Sequence, residues 1–203
     1  MHPKLLKKLS LILLCVLLLT GVVHAADVKV SLGVVFGHEG GLQCDPGDPG
    51  NWTGGRVGKG RSGCTKYGIA TVSYPREDIK HLSIQRAALL YERDFWAPLR
   101  LSDFRSQACA TSIFDTAVNC GVGTSANIVL KTINYLAPAH YKLNGRLNAE
   151  QAEWINKYTK RKVKRTKFWK IIQVYKAQRY MQIIEHNPNM RQYEDSWFSR
   201  VGS

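Results

Sequence analysis

Apolar and polar residues alternate along this chain in patterns that change register several times. An apolar run from Leu9 to Val23 comes first. Residues 27–39, DVKVSLGVVFGHE, follow and support two readings. Val28, Val30, Leu32, Val34 and Phe36 alternate as in a strand, whereas Leu32, Val35, Phe36 and Glu39 fall at helical spacing. A helix is favoured, with Asp27 as N-cap and Gly40 as its stop. Residues 40–66 are dominated by Gly, Pro, Asp and Asn, including the tandem turns Asp45-Pro46-Gly47 and Asp48-Pro49-Gly50. Apolar spacing at Ile79, Leu82, Ala87, Leu90, Tyr91 and Phe95 then predicts a short helix and a longer one ending before Pro98. SQACATSIFDTAVNC reads as a buried helix closed by Gly121, and SANIVLKTINYL as another. Asn148 with Gln151 has the form of a capping box. It opens a helix carrying Trp154, Ile155, Tyr158 and the basic run Lys160–Lys167, and a last helix is expected from about Trp169 to Glu185. The pattern is mainly α, a helical bundle with one irregular Gly/Pro-rich loop or small hairpin set early in the chain.

The first 25 residues are expected to take no part in that fold. Lysines at 4, 7 and 8, the apolar run and the ending Val23-His24-Ala25 have the order of a secretory signal peptide. A transmembrane helix needs about 20 apolar residues, more than this run offers; an uncleaved signal anchor is the alternative. Cleavage removes three lysines and no acids, which lowers the formal net charge of +14 by three, to +11. So basic an exported chain suits polyanionic partners, among them cell-wall polymer and anionic membrane.

Four cysteines remain, Cys44, Cys64, Cys109 and Cys120, and an even number outside the cytoplasm favours disulfides. On one helix Cys109 and Cys120 would stand roughly 16 Å apart, too far to bridge. Cys44–Cys64 is therefore the favoured pair, with the crossed pairings left open. No C-x-x-C occurs and His38 is isolated, so zinc is not implied.

Several local patterns carry no chemistry. Gly58-Lys59-Gly60-Arg61-Ser62-Gly63 fits G-x-G-x-x-G but lacks the strand before it and the helix after it that a dinucleotide site needs. Asp45 and Asp48 lack the alternating acids of a calcium loop. The basic run lacks the interleaved aromatics of a nucleic-acid platform, so no nucleic-acid partner is expected; it reads as a solvated face with affinity for an anionic wall or membrane.

Glu39 is where chemistry can sit. A carboxyl at a helix C-terminus faces the negative end of the dipole, which favours its neutral form, and burial against aromatics would do so further. A neutral carboxylic acid can protonate a leaving glycosidic oxygen. Gly40 and Gly41 leave room for a polymer, and the turns bring Asp48 back nine residues on. Asp48 is either a second carboxylate for the sugar or a turn residue bonding its own backbone.

At this point the chain resembles glycoside hydrolase family 108, bacterial and phage lysozyme-like muramidases. The similarity lies in Glu39-Gly40-Gly41, the Asp-Pro-Gly turns, Thr65-Lys66-Tyr67-Gly68-Ile69, YERDFWAPLR, FDTAVNCGVGTSA and the terminal Trp197-Phe198-Ser199-Arg200-Val201, in order over nearly the whole chain after the leader. The resemblance implies a lysozyme-like α+β hydrolase segment over 26–100. It further implies a peptidoglycan-binding helical segment over 101–203, with Glu39 as the essential acid. Asp48 would assist it, and Thr65 and Tyr67 would line the cleft. Residues 51–64 are longer than the family pattern, so Thr53 competes with Thr65 for the active-site threonine; Tyr67-Gly68-Ile69 favours Thr65. Leu42 and Cys44 stand where Tyr and Asn are more usual, so a cysteine bridge would replace hydrogen bonds in holding the loop. The implied activity is an exported, periplasmic or extracellular lysozyme, monomeric and needing no metal or cofactor, of the phage endolysin kind. The alternatives are a bacterial muramidase that assists export through the wall, a non-catalytic wall-binding protein and a cationic membrane-disrupting protein.

Overall fold

A computed structural model describes residues 25–38 and 41–202. The signal-peptide reading of residues 1–25 therefore lies almost wholly outside the described residues, as do Glu39 and the helix stop expected at Gly40.

The first ambiguity resolves as a helix, α1, Val28–His38. Lys29 N donates to Asp27 Oδ1 (2.8 Å), the expected capping bond. Ser31, Leu32 and Val35 are buried, while Val30 and Val34 of the competing strand pattern face solvent. A two-residue-per-side hairpin follows, β1 (Thr65–Lys66) and β2 (Ile69–Ala70), antiparallel with Thr65 opposite Ala70. Helix α2 is Ile84–Tyr91, capped by Ser83, which accepts from Arg86 N; it runs through a π-helical turn over Glu92–Trp96 into a 3-10 turn over Ala97–Leu99. Helix α3 is Gln107–Cys120, α4 is Val122–Leu136, α5 is Ala149–Thr159, α6 is Lys162–His186 and α7 is Glu194–Phe198.

Two expectations fail at their edges. The short helix around Ile79 and Leu82 is a run of turns that still buries both side chains. Few residues separate Pro75 from the cap at Ser83, too few for a helix to repay its nucleation. The basic run does not extend α5. The chain breaks at Lys160-Arg161, where Arg161 is extended (φ −85°, ψ 132°), and the cations open α6 instead. The corner lets Ile155 and Thr159 on α5 and Phe168 and Ile172 on α6 be buried together.

Helix α3 is the central element: every residue from Cys109 to Ala117 except Thr111 is buried. Gly121, at φ 86°, closes it and lets α4 begin at once. On one side α3 meets α1, where Ser31 Oγ and Thr111 Oγ1 lie 2.8 Å apart and Gln107 Nε2 donates to the Asp27 carbonyl (3.0 Å). On another it meets α6 through buried polar pairs. Gln173 Nε2 donates to Ser112 Oγ, and Lys176 Nζ donates both to Asp115 Oδ2 and to the Arg200 carbonyl (2.8 Å). Arg200 Nη1 reaches Asp115 Oδ1 (3.0 Å). One carboxylate thus sits between two cations in the interior and ties the C-terminal turn to the core. The capping box at α5 forms as expected, with Asn148 and Gln151 bonding reciprocally.

Candidate active site

The loop that follows α1 is organised by hydrogen bonds rather than by regular structure. Asp45 and Asp48 each fold back on their own turn: Gly47 N donates to Asp45 Oδ1 and Gly50 N to Asp48 Oδ1, both at 2.8 Å. Asp48 caps the 3-10 turn Pro49–Asn51. This is the turn role the sequence allows for Asp48, but it uses only one oxygen. The other, Oδ2, accepts from Gln43 Nε2 (3.0 Å). The carboxylate is half-buried and its orientation is fixed by two donors.

Gln43 is part of a directed relay. Thr65 Oγ1 donates to Asn51 Oδ1 (2.9 Å), Asn51 Nδ2 donates to Gln43 Oε1, and Gln43 Nε2 donates to Asp48. Asn51 Nδ2 also bonds the Asp45 carbonyl (2.9 Å), and Gly63 N donates to the Asn51 carbonyl (2.6 Å). Asn51 is fully buried, and all these partners converge on it. A buried amide with no alternative partner leaves such a network little freedom. The sequence reading passed over both Asn51 and Gln43, because an Asn among glycines and prolines looks like another turn residue. The available signal was that Asn51 already sits one residue beyond a complete Asp-Pro-Gly turn.

Thr65 and Thr53 have different surroundings. Thr65 pairs its backbone with Gln43 in both directions (2.8 and 2.9 Å) and its hydroxyl enters the relay to Asp48. Thr53 Oγ1 accepts from Arg61 N (2.9 Å) and belongs to the excursion instead. The Cys44–Cys64 disulfide, with Cα atoms 4.2 Å apart, links the residues next to Gln43 and Thr65. It lies beside the loop's hydrogen bonds rather than in their place. Cys109 and Cys120 are free thiols, and burial pushes Cys120 up to about 11.

Tyr67 forms the wall between loop and helix. It and Gly68 turn the β1–β2 hairpin with positive φ at both positions (51° and 72°), as two-residue hairpin turns require. The left-handed conformation costs a non-glycine residue on the order of 1 kcal/mol. Here the Tyr91 hydroxyl donates to the Tyr67 carbonyl (3.0 Å), and the Tyr67 ring lies against Phe36 with centroids 6.0 Å apart. Phe36 in turn meets Tyr91 edge-to-face at 5.6 Å. Lys66 Nζ is 5.3 Å from the Tyr67 ring centroid. The last turn of α1 is therefore packed on the hairpin that carries Tyr67, and Glu39, next after α1 in the chain, lies outside the described residues.

The described part of the site thus brings together an oriented carboxylate, a threonine hydroxyl and a half-buried tyrosine, on a loop locked by a disulfide and a buried asparagine. A carboxylate fixed by a backbone and an amide donor is equipped to stabilise positive charge on a sugar ring.

No curated protein matches the chain in sequence. A solved structure, that of Brucella abortus SagA, aligns over 86% of this chain and 88% of its own with a TM-score of 0.61 at 16% identity, which shows a shared fold. The family model for glycosyl hydrolase 108 matches residues 32–121. That span contains Glu39, Asp48, Thr65 and Tyr67, and over it the chain is similar to the glycosyl hydrolase 108 family.

Proposed function

We propose that the protein is an exported lysozyme that hydrolyses the β-1,4 bond between N-acetylmuramic acid and N-acetylglucosamine in peptidoglycan. The family match over residues 32–121 carries this reading. It supports a glycoside hydrolase acting on peptidoglycan, and the motif series within it supports the finer assignment. Glu39, which follows α1 in the chain, gives its proton to the leaving oxygen as the glycosidic bond breaks, and water supplies the hydroxyl of the new reducing end and restores the proton. Asp48, held by Gln43 and Gly50, stabilises the positive charge that develops on the sugar, directly or through a water. Thr65 and Tyr67 hold the glycan beside them. The basic opening of α6, with Lys162, Lys164 and Lys167 all exposed, keeps the enzyme on an anionic wall. The leader sends the chain to the periplasm or beyond, where it works as a monomer in an endolysin-like role.

Mass spectrometry of fragments released from purified sacculi tests the assignment. Saccharides with a reducing-end muramic acid are expected, and Glu39→Gln should abolish their release while the fold survives. Free peptides or amide-cleaved products would overturn the glycosidase reading. Anhydromuramic ends would replace hydrolysis with an internal transfer. Lysis that persists in Glu39→Gln would favour a wall-binding or membrane-disrupting protein.

A further inference from the structure

The glycine-rich excursion over residues 53–61 is a built element. Thr53 N donates to the Arg61 carbonyl (3.1 Å), Gly54 N to the Lys59 carbonyl (3.1 Å) and Lys59 N to the Arg56 carbonyl (3.0 Å). Its two arms touch: a Cβ on Gly54 would lie 2.6 Å from the Lys59 stem, and one on Gly60 would lie 2.3 Å from Thr53 Oγ1. Glycine is needed at both places because no side chain fits between the arms. The base is stitched to the active-site loop by the Trp52–Ser62 bridge and the Gly63–Asn51 bond, and the arm leads straight into Cys64 and Thr65. Residues 53–61 are a short, stiff finger rising beside the candidate site.

Its charge is one-sided. From Pro49 to Arg76 there is no acid, against five cations, Arg56, Lys59, Arg61, Lys66 and Arg76. Arg61 is used structurally, donating to the Pro75 carbonyl (2.7 Å), and Lys66 lies over Tyr67. Arg56 and Lys59, at the exposed tip, make no ion pair or side-chain hydrogen bond among the described residues. The acids just before the finger, Asp45 and Asp48, have their carboxylates engaged in their own turns. Two uncompensated cations are therefore carried at the tip of a hydrogen-bonded hairpin whose base adjoins the loop that holds Asp48 and Thr65.

We propose that this finger is a specificity element. Arg56 and Lys59 bind carboxylates of the peptides on the glycan strand, so that the enzyme prefers peptide-substituted wall to neutral glycan. The proposal rests on the peptidoglycan reading. Preorganised cations at a groove raise the local concentration of an anionic polymer, and the effect fades with salt.

Arg56→Gln with Lys59→Gln removes both charges and keeps the stem that packs on Gly54. Co-sedimentation with purified sacculi, with Glu39→Gln present to prevent digestion, measures binding apart from turnover. The double substitution should weaken binding roughly three- to tenfold at low salt, as expected of two exposed charge contacts, and flatten the salt dependence. Sacculi whose carboxylates have been capped as amides should bind parent and variant equally, and Arg56→Lys should keep most of the affinity. Equal binding of native sacculi by parent and variant would overturn the proposal. So would a loss that persists on capped sacculi, or one that disappears when wall phosphate is stripped. Failure of the unsubstituted enzyme to release muramic-acid ends would instead count against the lysozyme reading, and the binding comparison would still stand.

Discussion

Replacing Asn51 by alanine removes three side-chain hydrogen bonds at once, to Gln43, to the Asp45 carbonyl and from Thr65. Each such bond contributes a net of about 0.5–1.5 kcal/mol, and Asn51 is fully buried, so the lost partners are not readily rescued by water. The sum is about 2–4 kcal/mol. If the loop unfolds together with the core, that corresponds to a fall in Tm of roughly 5–15 °C for a chain of this size. The disulfide bridges the same loop, so part of the loss will appear as loosening of the site rather than as global unfolding. Turnover is the second readout. With the relay broken, Gln43 no longer fixes Asp48, and a shift of about an ångström can cost on the order of a hundredfold in rate. Asn51→Asp sharpens the test. An ionised carboxylate there faces the Gln43 and Asp45 oxygens without a proton to donate, and protonation restores a donor. Its deficit in Tm relative to the natural protein should narrow as pH falls towards about 4, the ordinary carboxylate range. Thermal melts and fragment release from sacculi, run side by side on both variants, measure this. An Asn51→Ala protein with Tm within a degree or two of the parent and unchanged turnover would show that the relay is incidental.

Three further outcomes follow from the packing. Asp115→Ala leaves the buried Lys176 ammonium without its carboxylate and removes one partner of Arg200, and should cost about 3–5 kcal/mol, measured by urea unfolding. Replacing both Cys44 and Cys64 by serine opens a loop with a sequence separation of 20 and should cost about 3 kcal/mol on the chain-entropy model, seen as a Tm lowered to that of the reduced natural protein. The Cys120 thiol, raised to about 11 by burial, stays neutral in the fold while an unfolded thiol ionises near 8.5. Its contribution to stability is complete below about pH 8.5 and is lost as pH rises towards 11. Cys120→Ala should flatten the stability profile over that interval, and iodoacetamide at pH 8.5 should label Cys120 far more slowly in the folded protein than in urea.

The residues themselves settled the helices with clear ends. Asn148 with Gln151, and Gly121 after an apolar run, are local signals whose bonds form within one turn of chain, so no distant partner is needed to predict them. The ordered motif series from Glu39 to Ile69 also led to the family later matched over residues 32–121. Distance along the chain limits the rest. Nothing near Asn51 in sequence says that Gln43 and Thr65 will close around it, or that Asp48 will be held by a glutamine as well as by its own turn. The α5–α6 corner at Lys160-Arg161 is set by where Ile155 and Phe168 must be buried, not by the charge pattern, which runs on across it. Local chemistry fixed caps and turns because their partners lie within a few residues. The relay, the buried Asp115 cluster and the finger's position beside Thr65 arise only when the collapsed core brings remote residues within hydrogen-bonding range.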